Sequence, residues 1–201
     1  MKKRGRPRNF DRQEALKKAM MAFWAHGYEG TSMAALVKAM NINSPSIYAA
    51  FGSKENLFQE AVTLYRTTEG GRIWTAALAE PTARSAVATM LKVSAKEFSQ
   101  PNKPGGCLVV LGAIHAAGDS DAVYQKLKEY RAESIATLMQ IFKRAVSEGE
   151  LSDQTDLRAV ARYYVAVQQG MSIQARDGAS RQSLLTVAES AMAAWENLTD
   201  C

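Results

Sequence analysis

Apolar residues recur at intervals of three and four positions along most of the chain, which is the period of an amphipathic α-helix. In the first such repeat the apolar positions are Leu16, Ala19, Met20 and Phe23. Asp11, with Glu14 three residues later, has the pattern of a capping box, and Gly27 is a stop signal. The pattern therefore predicts a first helix between Asp11 and Gly27.

Two further short helices follow, separated by a tight turn. Thr31 or Ser32 is expected to cap a helix that ends in a turn at residues 41–43. Ser44, followed by Pro45, is a predicted helix start, because serine accepts bonds from free amides and proline is tolerated in the first turn. Helix, tight turn and short helix in this order are typical of a helix-turn-helix, whose second helix enters the major groove of DNA.

Long apolar-periodic segments fill the rest of the chain, beginning after a predicted helix cap at Ser53. Stretches with proline and glycine separate them. The segments are 54–79, 82–99, 106–117, 120–148, 155–177 and 180–198. None alternates with the period of a β-strand, so we predict an all-α protein of about nine helices. Its predicted parts are a basic arm (1–8), a three-helix helix-turn-helix DNA-binding domain (9–66) and a larger helical bundle (67–201).

Composition narrows the class of protein. The chain has 201 residues, 47% of them hydrophobic, which is enough for a buried core. No apolar run reaches the roughly 18 residues of a membrane span, and the charged start lacks the apolar stretch of a secretory signal, so we expect a cytoplasmic protein without a membrane partner. Cys107 and Cys201 have no metal-ligand or disulfide spacing, and His26 and His115 have no partner motif nearby. We therefore expect neither a metal site nor a cofactor.

The net charge of +5 is confined to the start of the chain. Five basic residues precede the first acidic one, and the remainder is balanced in charge; they are Lys2, Lys3, Arg4, Arg6 and Arg8. Gly5 and Pro7 oppose helix formation there. The segment is therefore a predicted flexible arm suited to phosphates or to the minor groove of DNA. A solubilising tail is the alternative interpretation.

The stretch "AFWAHGYEGTSMAALVKAMNINSPSIYAAFGSKENLF" resembles the DNA-binding domain of the tetracycline-repressor (TetR) family. A Phe, a glycine-aromatic pair, a Thr-Ser helix start, and then Tyr, Phe, Ser-Lys-Glu and Leu-Phe fall at the family's spacing over residues 8–66. "GGCLVVLGAIHAAG", "RAVSEGEL" and "QQGMSIQARDGA" resemble the regulatory domain of one subgroup. The resemblance implies a repressor that binds a palindromic double-stranded DNA operator as a homodimer and is released by an unidentified small-molecule effector.

The predicted DNA contacts lie in the arm and at the starts of the short helices. Ser44, Pro45 and Ser46 are expected nearest the base edges, and Ala49 offers a methyl group for thymine. The resemblance assigns phosphate contacts to Tyr48 and Lys54, and Ser32 and Met33 begin a helix whose amides reach phosphate. Alternatively the Tyr48 ring packs on Phe51, which we assign with Ile47 to the core. The complete set is Arg4, Arg6, Arg8, Ser32, Met33, Ser44, Pro45, Ser46, Tyr48, Ala49 and Lys54.

The bundle is expected to enclose a pocket for the effector, with apolar walls and a few polar groups. Candidates by residue type and position are Trp74, Cys107, His115, Tyr163, Tyr164 and Gln168. For each of them, packing in the core is the alternative.

A second hypothesis for Cys107 is that its thiol senses electrophiles or oxidants. Gly105 and Gly106 precede an apolar helix that starts near Cys107, and a helix N-terminus lowers the pKa of a thiol. Some regulators that this chain resembles sense such compounds through a cysteine in a Gly-Cys-Leu context. The alternative is a small buried hydrophobic residue. Cys201, at the end of the chain, is interpreted as an incidental thiol.

An apolar stripe near the C-terminus is a candidate dimer interface. Its residues recur at alternating four- and three-residue steps: Leu184, Ala188, Ala191 and Trp195. Leu198 continues this stripe, and a second one of the same kind comprises Leu157, Ala161, Tyr164, Gln168 and Met171. Two such helices can pair with those of a second copy, although an intramolecular core produces similar stripes. The resemblance favours the homodimer, because a dimer places two recognition helices on a palindrome.

Two other classes of protein explain the sequence less well. No Ser-x-x-Lys, Gly-x-Ser-x-Gly or glycine-rich phosphate loop occurs, so we predict no catalytic residues and no enzyme. An architectural DNA-binding protein without an effector would explain the arm and the helix-turn-helix. It would not require the bundle over residues 67–201.

Overall fold

A computed structural model describes residues 10–114 and 121–199. Within these ranges the chain forms eleven α-helices and no β-strand. The helices are α1 (Arg12–His26), α2 (Met33–Met40), α3 (Ser44–Phe51), α4 (Lys54–Thr67), α5 (Gly71–Leu78), α6 (Ala83–Phe98), α7 (Leu108–Leu111), α8 (Asp121–Ser147), α9 (Leu157–Arg176), α10 (Arg181–Met192) and α11 (Trp195–Thr199). The all-α prediction is confirmed.

The N-terminal helices begin and end largely where the sequence predicts. Asp11 Oδ1 accepts the Gln13 amide at 2.8 Å at the start of α1, and Gly27 ends that helix with a positive φ of 71°. Ser32 caps α2, and Asn41 ends it in the left-handed conformation, with φ 56° and ψ 44°. Asparagine tolerates this conformation better than most residues, so the turn forms without glycine.

The start of α3 differs from the prediction by one residue. Asn43 caps this helix, because its backbone is extended and its Oδ1 accepts the Ser46 amide at 2.9 Å. Ser44 is the first helical residue and Pro45 lies in the first turn. The prediction that Ser44 is the cap is therefore wrong. Asparagine is as good a cap as serine, and here it precedes the serine.

Eleven helices replace the expected nine because two predicted helices are each divided. The segment 54–79 breaks between α4 and α5, where the Gly70 amide donates to the Tyr65 carbonyl. The segment 180–198 likewise breaks between α10 and α11. The helix predicted over 106–117 is reduced to α7 in its described part, and the Gly112 carbonyl after it accepts the Tyr28 amide at 2.8 Å.

Two clusters of buried side chains form the core. The first cluster is formed by the four helices α1, α2, α3 and α4, and it also includes Leu108 of α7 and Leu127 of α8. Within it, the Phe23 and Phe58 rings are in edge-to-face contact, with centroids 5.0 Å apart. The second lies inside the bundle of α5, α6 and α8 to α11. Helices α7 and α8 therefore contribute side chains to the core of the N-terminal helices, and the bundle and these helices share a packed boundary.

The α10 stripe, which comprises Leu184, Ala188 and Ala191 of α10 with Trp195 at the start of α11, faces the interior of its own chain. Leu184 is 0% exposed and Trp195 is 3% exposed, while Ala188 and Ala191 are also buried. The Tyr164 hydroxyl donates to the Ala191 carbonyl at 3.3 Å, and its ring lies 5.8 Å from that of Trp195. These four side chains pack in the intramolecular core, which corrects their assignment as an interface. Periodicity identifies a buried face but not what covers it.

Two classes of feature are missing from residues 10–114 and 121–199. No helix there is both long and apolar enough to cross a membrane. No group of three His, Cys, Asp or Glu side chains in the same residues is arranged to hold a metal ion.

Candidate DNA-binding face and effector cavity

Helix α3, the predicted recognition helix, is anchored on one side and open on the other. Ile47 and Phe51 are 1% and 4% exposed and fix the helix on the N-terminal core, as predicted. Pro45, Tyr48 and Ala49 lie on the opposite, exposed side, and Ser44 and Ser46 are half-buried beside them. Tyr48 is 47% exposed, so its ring remains accessible. The exposed face offers small side chains and one phenol to a partner.

Arg12 braces the end of α3, a role that the sequence pattern does not reveal. Its guanidinium lies 4.4 Å above the Phe51 ring, pairs with Glu60 at 2.6 Å and donates to the Ala50 carbonyl at 3.3 Å. The partners are 38 and 48 residues away, so no local motif signals the contact. The arrangement fixes the C-terminal end of the recognition helix against α1 and α4.

The starts of α2 and α4 flank α3. Ser32 is exposed and its Oγ accepts the Ala35 amide at 3.1 Å, while Met33 is half-buried against the N-terminal core. Lys54 Nζ lies 4.2 Å above the Tyr28 ring at the start of α4. Partial burial lowers the pKa of Lys54, and the nearby carboxylate of Glu29 opposes that shift. Lys54 is therefore a positioned cation rather than a freely projecting one.

Some predicted residues lie outside the described part of the chain. These are Arg4, Arg6 and Arg8 of the arm, His115 of the pocket set, and Cys201.

A cavity of about 340 Å³ opens between α4, α5, the end of α6, α7, α8 and α9. Three of the predicted pocket residues line it: Trp74, Cys107 and Gln168. Gln168 is 6% exposed, and its amide donates to Ser94 Oγ at 2.9 Å. Tyr163 and Tyr164 lie away from this cavity, with Tyr163 37% exposed and Tyr164 buried against Trp195.

Cys107 is at the start of α7, but its electrostatics differ from the expectation. Burial raises the pKa of the thiol, although hydrogen bonds from Tyr65 and from backbone groups oppose the rise. Burial also raises the pKa of Tyr65, whose hydroxyl shares a hydrogen bond with the thiol. The predicted lowering of the Cys107 pKa is therefore wrong. A four-residue helix has a weak dipole, and desolvation of the thiolate outweighs it.

Two arginines in the C-terminal bundle make contacts that the sequence pattern does not predict. Arg131 lines the cavity and donates to the carbonyls of Val109 and Ala113. Both belong to residues 106–113 around α7, which we call the α7 segment. Arg176, at the end of α9, donates to the carbonyls of Trp24, Ala25 and Gly105. Neither arginine has a local sequence signal, because all of these partners are main-chain atoms distant in sequence.

Two family models match most of the chain. Residues 15–61 match the one described as bacterial regulatory proteins of the tetR family, and residues 81–191 match a tetracyclin repressor-like C-terminal domain. These matches confirm the predicted resemblance. Members of this family are DNA-binding transcription regulators, which confirms the expectation that the chain is not an enzyme.

Individual proteins are similar over nearly the full length. The transcriptional repressor ComR of Escherichia coli (strain K12) is 35% identical over 98% of this chain and 94% of its own. The repressor BdcR of the same strain is 29% identical over 92% and 88%. A cysteine mutant of the TetR family regulator CifR, solved with a 26-bp double-strand operator DNA, superposes with a TM-score of 0.91 at 43% identity, covering 95% of this chain and 100% of that one. The chain therefore belongs to the TetR family of bacterial transcription regulators.

Proposed function

We propose that this protein represses transcription in the cytoplasm by binding a twofold-symmetric operator as a homodimer, and that a small molecule in the bundle cavity releases it. The observation that carries the proposal is the exposed face of α3, which is anchored by Ile47 and Phe51 and turned away from the rest of the chain. Relatives named as repressors and a similar regulator solved on operator DNA support it.

Roles within the DNA-binding set follow from chemistry. Tyr48 and Lys54 would hold phosphates, and Ser32 would do so from the start of α2. Ser46 and Ala49 are the side chains with access to base edges, since Tyr48 occupies the flank of the same face. Because such small side chains read few bases strongly, a dimer that doubles the contacts is needed for a specific site.

The outer face of α9 is our candidate for the dimer contact, in place of the α10 stripe. Tyr163, Ala166, Gly170 and Ile173 follow one another at helical spacing on this face. Ile173 is 49% exposed, which is high for a large apolar side chain. A Cβ added at Gly170 would meet no other part of the chain within 4 Å. Glycine inside a helix costs about 1 kcal/mol relative to alanine, and nothing in the single chain requires it, whereas close approach of a second helix would.

The cavity is the natural place for an effector, because it lies between the bundle and the segment that contacts the DNA-binding part. It combines aromatic walls with the polar groups of Gln168 and Arg131. An architectural DNA-binding protein would have no use for such a site. The cavity therefore favours a ligand-responsive regulator over that alternative.

Footprinting of the purified full-length chain on the DNA flanking its own gene tests the proposal. We expect one protected region with dyad symmetry, bound with nanomolar affinity by a dimer, and released by a compound found in a thermal-shift screen. Replacing Tyr48 with Phe serves as a matched variant, since it removes one hydroxyl and leaves the fold intact. Uniform coating of DNA without a protected dyad would instead support the architectural alternative.

A further inference from the structure

The cavity contains one charged side chain that has no carboxylate partner in the described residues. Its charged lining residues are Arg66, Glu133 and Arg131. Arg66 and Glu133 neutralise each other in an ion pair at the exposed rim. Arg131 forms no ion pair with any acidic residue within 10–114 and 121–199. The described lining therefore has a net positive charge, and that charge belongs to Arg131.

Arg131 is only partly compensated by its present contacts. One guanidinium nitrogen donates to the Val109 carbonyl at 3.1 Å and to the Ala113 carbonyl at 3.4 Å. Burial lowers the pKa of Arg131, and the neighbouring Tyr124 and Cys107 oppose that shift. Carbonyl oxygens satisfy a donor but carry no net charge, and a guanidinium has five N–H donors in a planar fork. A carboxylate fits that fork in two-point contact and also neutralises the desolvated charge.

The remaining walls restrict the body of such a ligand. Trp74, Phe98 and Ile73 present apolar surface, and Tyr65 and Tyr130 add two more aromatic rings. The volume of about 340 Å³ lies at the lower end of the range of about 300–1,000 Å³ that is usual for small-molecule sites. A compact molecule with an apolar body matches both features. Inorganic anions match the charge but leave the apolar walls uncovered.

The segment that Arg131 holds also contacts the DNA-binding part. On one side of α7, Arg131 joins α8 to the carbonyls of Val109 and Ala113. On the other side, the Gly112 carbonyl accepts the Tyr28 amide at 2.8 Å. Just before α7, the Gly106 carbonyl accepts the Trp24 indole N–H at 3.0 Å. The α7 segment is thus bonded to Arg131 at one face and to the end of the first DNA-binding helix at the other.

We propose that the effector is a compact organic carboxylate with an apolar body, and that Arg131 binds it by exchanging its bonds to Val109 and Ala113 for the carboxylate. The exchange removes two hydrogen bonds that hold α7, and the contacts of the α7 segment with Trp24 and Tyr28 weaken as a result. Nη1 of Arg131 is engaged by the two carbonyls in the present arrangement, so a two-point contact that uses this nitrogen is open to the ligand only in the loosened state. This gives the difference in affinity that a ligand-driven shift requires. This inference rests on the proposed function, since it names the ligand class and the trigger of that same site.

The test uses the full-length chain with benzoate, phenylacetate and hexanoate as probes, each beside its neutral primary amide. We expect at least one carboxylate to raise Tm and to release a fluorescent operator fragment, while the amide of the same shape does neither. Arg131→Gln should weaken binding of that carboxylate roughly 10- to 100-fold, the usual effect of losing a charged hydrogen-bond donor. Arg131→Lys keeps the charge and should recover part of the loss.

Arg144→Gln is the matched control, because Arg144 lies on the same helix as Arg131 and also donates to main-chain carbonyls, but it lies outside the cavity. It should keep the preference for carboxylate over amide. The ligand class is overturned if no probe carboxylate binds, if the amide binds equally well, or if folded Arg131→Gln binds the carboxylate like wild type. If the carboxylate binds but the operator complex stays intact, the proposed coupling of the cavity to the DNA-binding helices through α7 is overturned. Failure of the wild type to bind any operator is a different result and counts against the proposed function.

Discussion

Arg176 and Trp24 are 152 residues apart in sequence, yet an Arg176 guanidinium nitrogen donates to the Trp24 carbonyl at 2.6 Å. A second nitrogen of the same group donates to the Ala25 carbonyl at 2.8 Å. These carbonyls are in the last turn of α1, where no helical amide remains to satisfy them. The end of α9 therefore caps the end of α1 with a positive charge, which also suits the helix dipole.

Replacing Arg176 with Met should weaken the contact between α9 and α1, which connects the bundle to the N-terminal helices. The variant lacks three charge-assisted bonds and leaves the two α1 carbonyls without these donors, so the free energy of unfolding should fall by about 2–3 kcal/mol. Operator affinity should fall as well, because α1 supports the helix-turn-helix. Urea denaturation and operator titration measure the two effects. Arg181→Met, at the exposed start of α10, is the control, and an equal loss there would remove the special role of Arg176.

The basic arm gives a prediction about salt. Deleting residues 2–8 removes the entire excess of positive charge. Operator affinity should fall, and the log–log slope against salt should flatten by about one unit for each phosphate that the arm no longer neutralises. Titrations between low and moderate salt measure the slope. Lys92→Gln with Lys96→Gln, both exposed on α6, removes charge in the regulatory part and should leave the slope unchanged. An unchanged slope after the deletion would make the arm a solubilising tail.

Tyr48 and Ala49 should have different effects on DNA recognition. Tyr48→Phe removes a hydroxyl assigned to a phosphate, so affinity should fall by a similar factor on all operator variants. Ala49→Ser replaces a methyl assigned to the major groove with a hydroxyl, so it should change which base is preferred. Binding to a library of operator variants separates the two results. If Tyr48→Phe alters base preference instead, Tyr48 reads bases and its phosphate assignment fails.

The sequence predicts the helices well because their signals are local. The period of the apolar residues, the cap at Ser32, the stop at Gly27 and the turn at Asn41 each depend on neighbours within a few positions, and the structure has them as expected. The one-residue error at α3 arises where Asn43 and Ser44, two good cap residues, are adjacent. Local patterns can rank such competitors only weakly, because either can reach the first free amides.

Long-range contacts are the part that the sequence leaves undetermined. The period of the α10 stripe indicates that this face is buried, but not which residues pack against it. Only the structure shows that Leu184 and Trp195 pack on side chains of their own chain. Arg131 and Arg176 bond to main-chain carbonyls, which every residue has, so no residue type marks their partners. The pKa of Cys107 depends on its burial, which the Gly-Cys-Leu context does not reveal.

Gly170 provides a test of the proposed dimer face. Gly170→Gln fills open space on one chain and replaces glycine inside a helix, so the fold of the single chain should gain about 0.5–1 kcal/mol from helix propensity. The same side chain would separate two closely packed α9 helices. We therefore expect a folded monomer with weak operator binding, measured by light scattering and operator titration. Ala136→Gln, on an exposed face of α8, is the control and should stay dimeric.

The contradicting result for the dimer face is a Gly170→Gln variant that remains dimeric and binds the operator like wild type. A wild type that is already monomeric at micromolar concentration would contradict the homodimer itself. The two outcomes separate the location of the interface from its existence.

The pair Tyr65 and Cys107 predicts loss of stability in alkali. Burial raises the pKa of both groups in the folded state, so folding favours their protonated forms. The stabilisation is complete below the pKa values of the unfolded chain, about 8.5 for cysteine and 10 for tyrosine, and is lost as the pH rises above them. The free energy of unfolding should fall by up to about 1.4 kcal/mol per pH unit for each group in that range. Urea denaturation between pH 7 and 10.5 should show the decline, and Cys107→Ser should make it shallower.

Alkylation of the thiol tests the same shift without unfolding the protein, and it also decides the sensor hypothesis. In a Cys201→Ser background only Cys107 remains, so its reaction with iodoacetamide can be followed alone. Because the thiolate is the nucleophile, a raised pKa should make the reaction slow at pH 7 and accelerate it only above the pH range of an ordinary thiol. A free cysteine peptide gives the reference rate. Rapid alkylation at pH 7, together with operator release that is absent in Cys107→Ser, would contradict the raised pKa and restore Cys107 as an electrophile sensor.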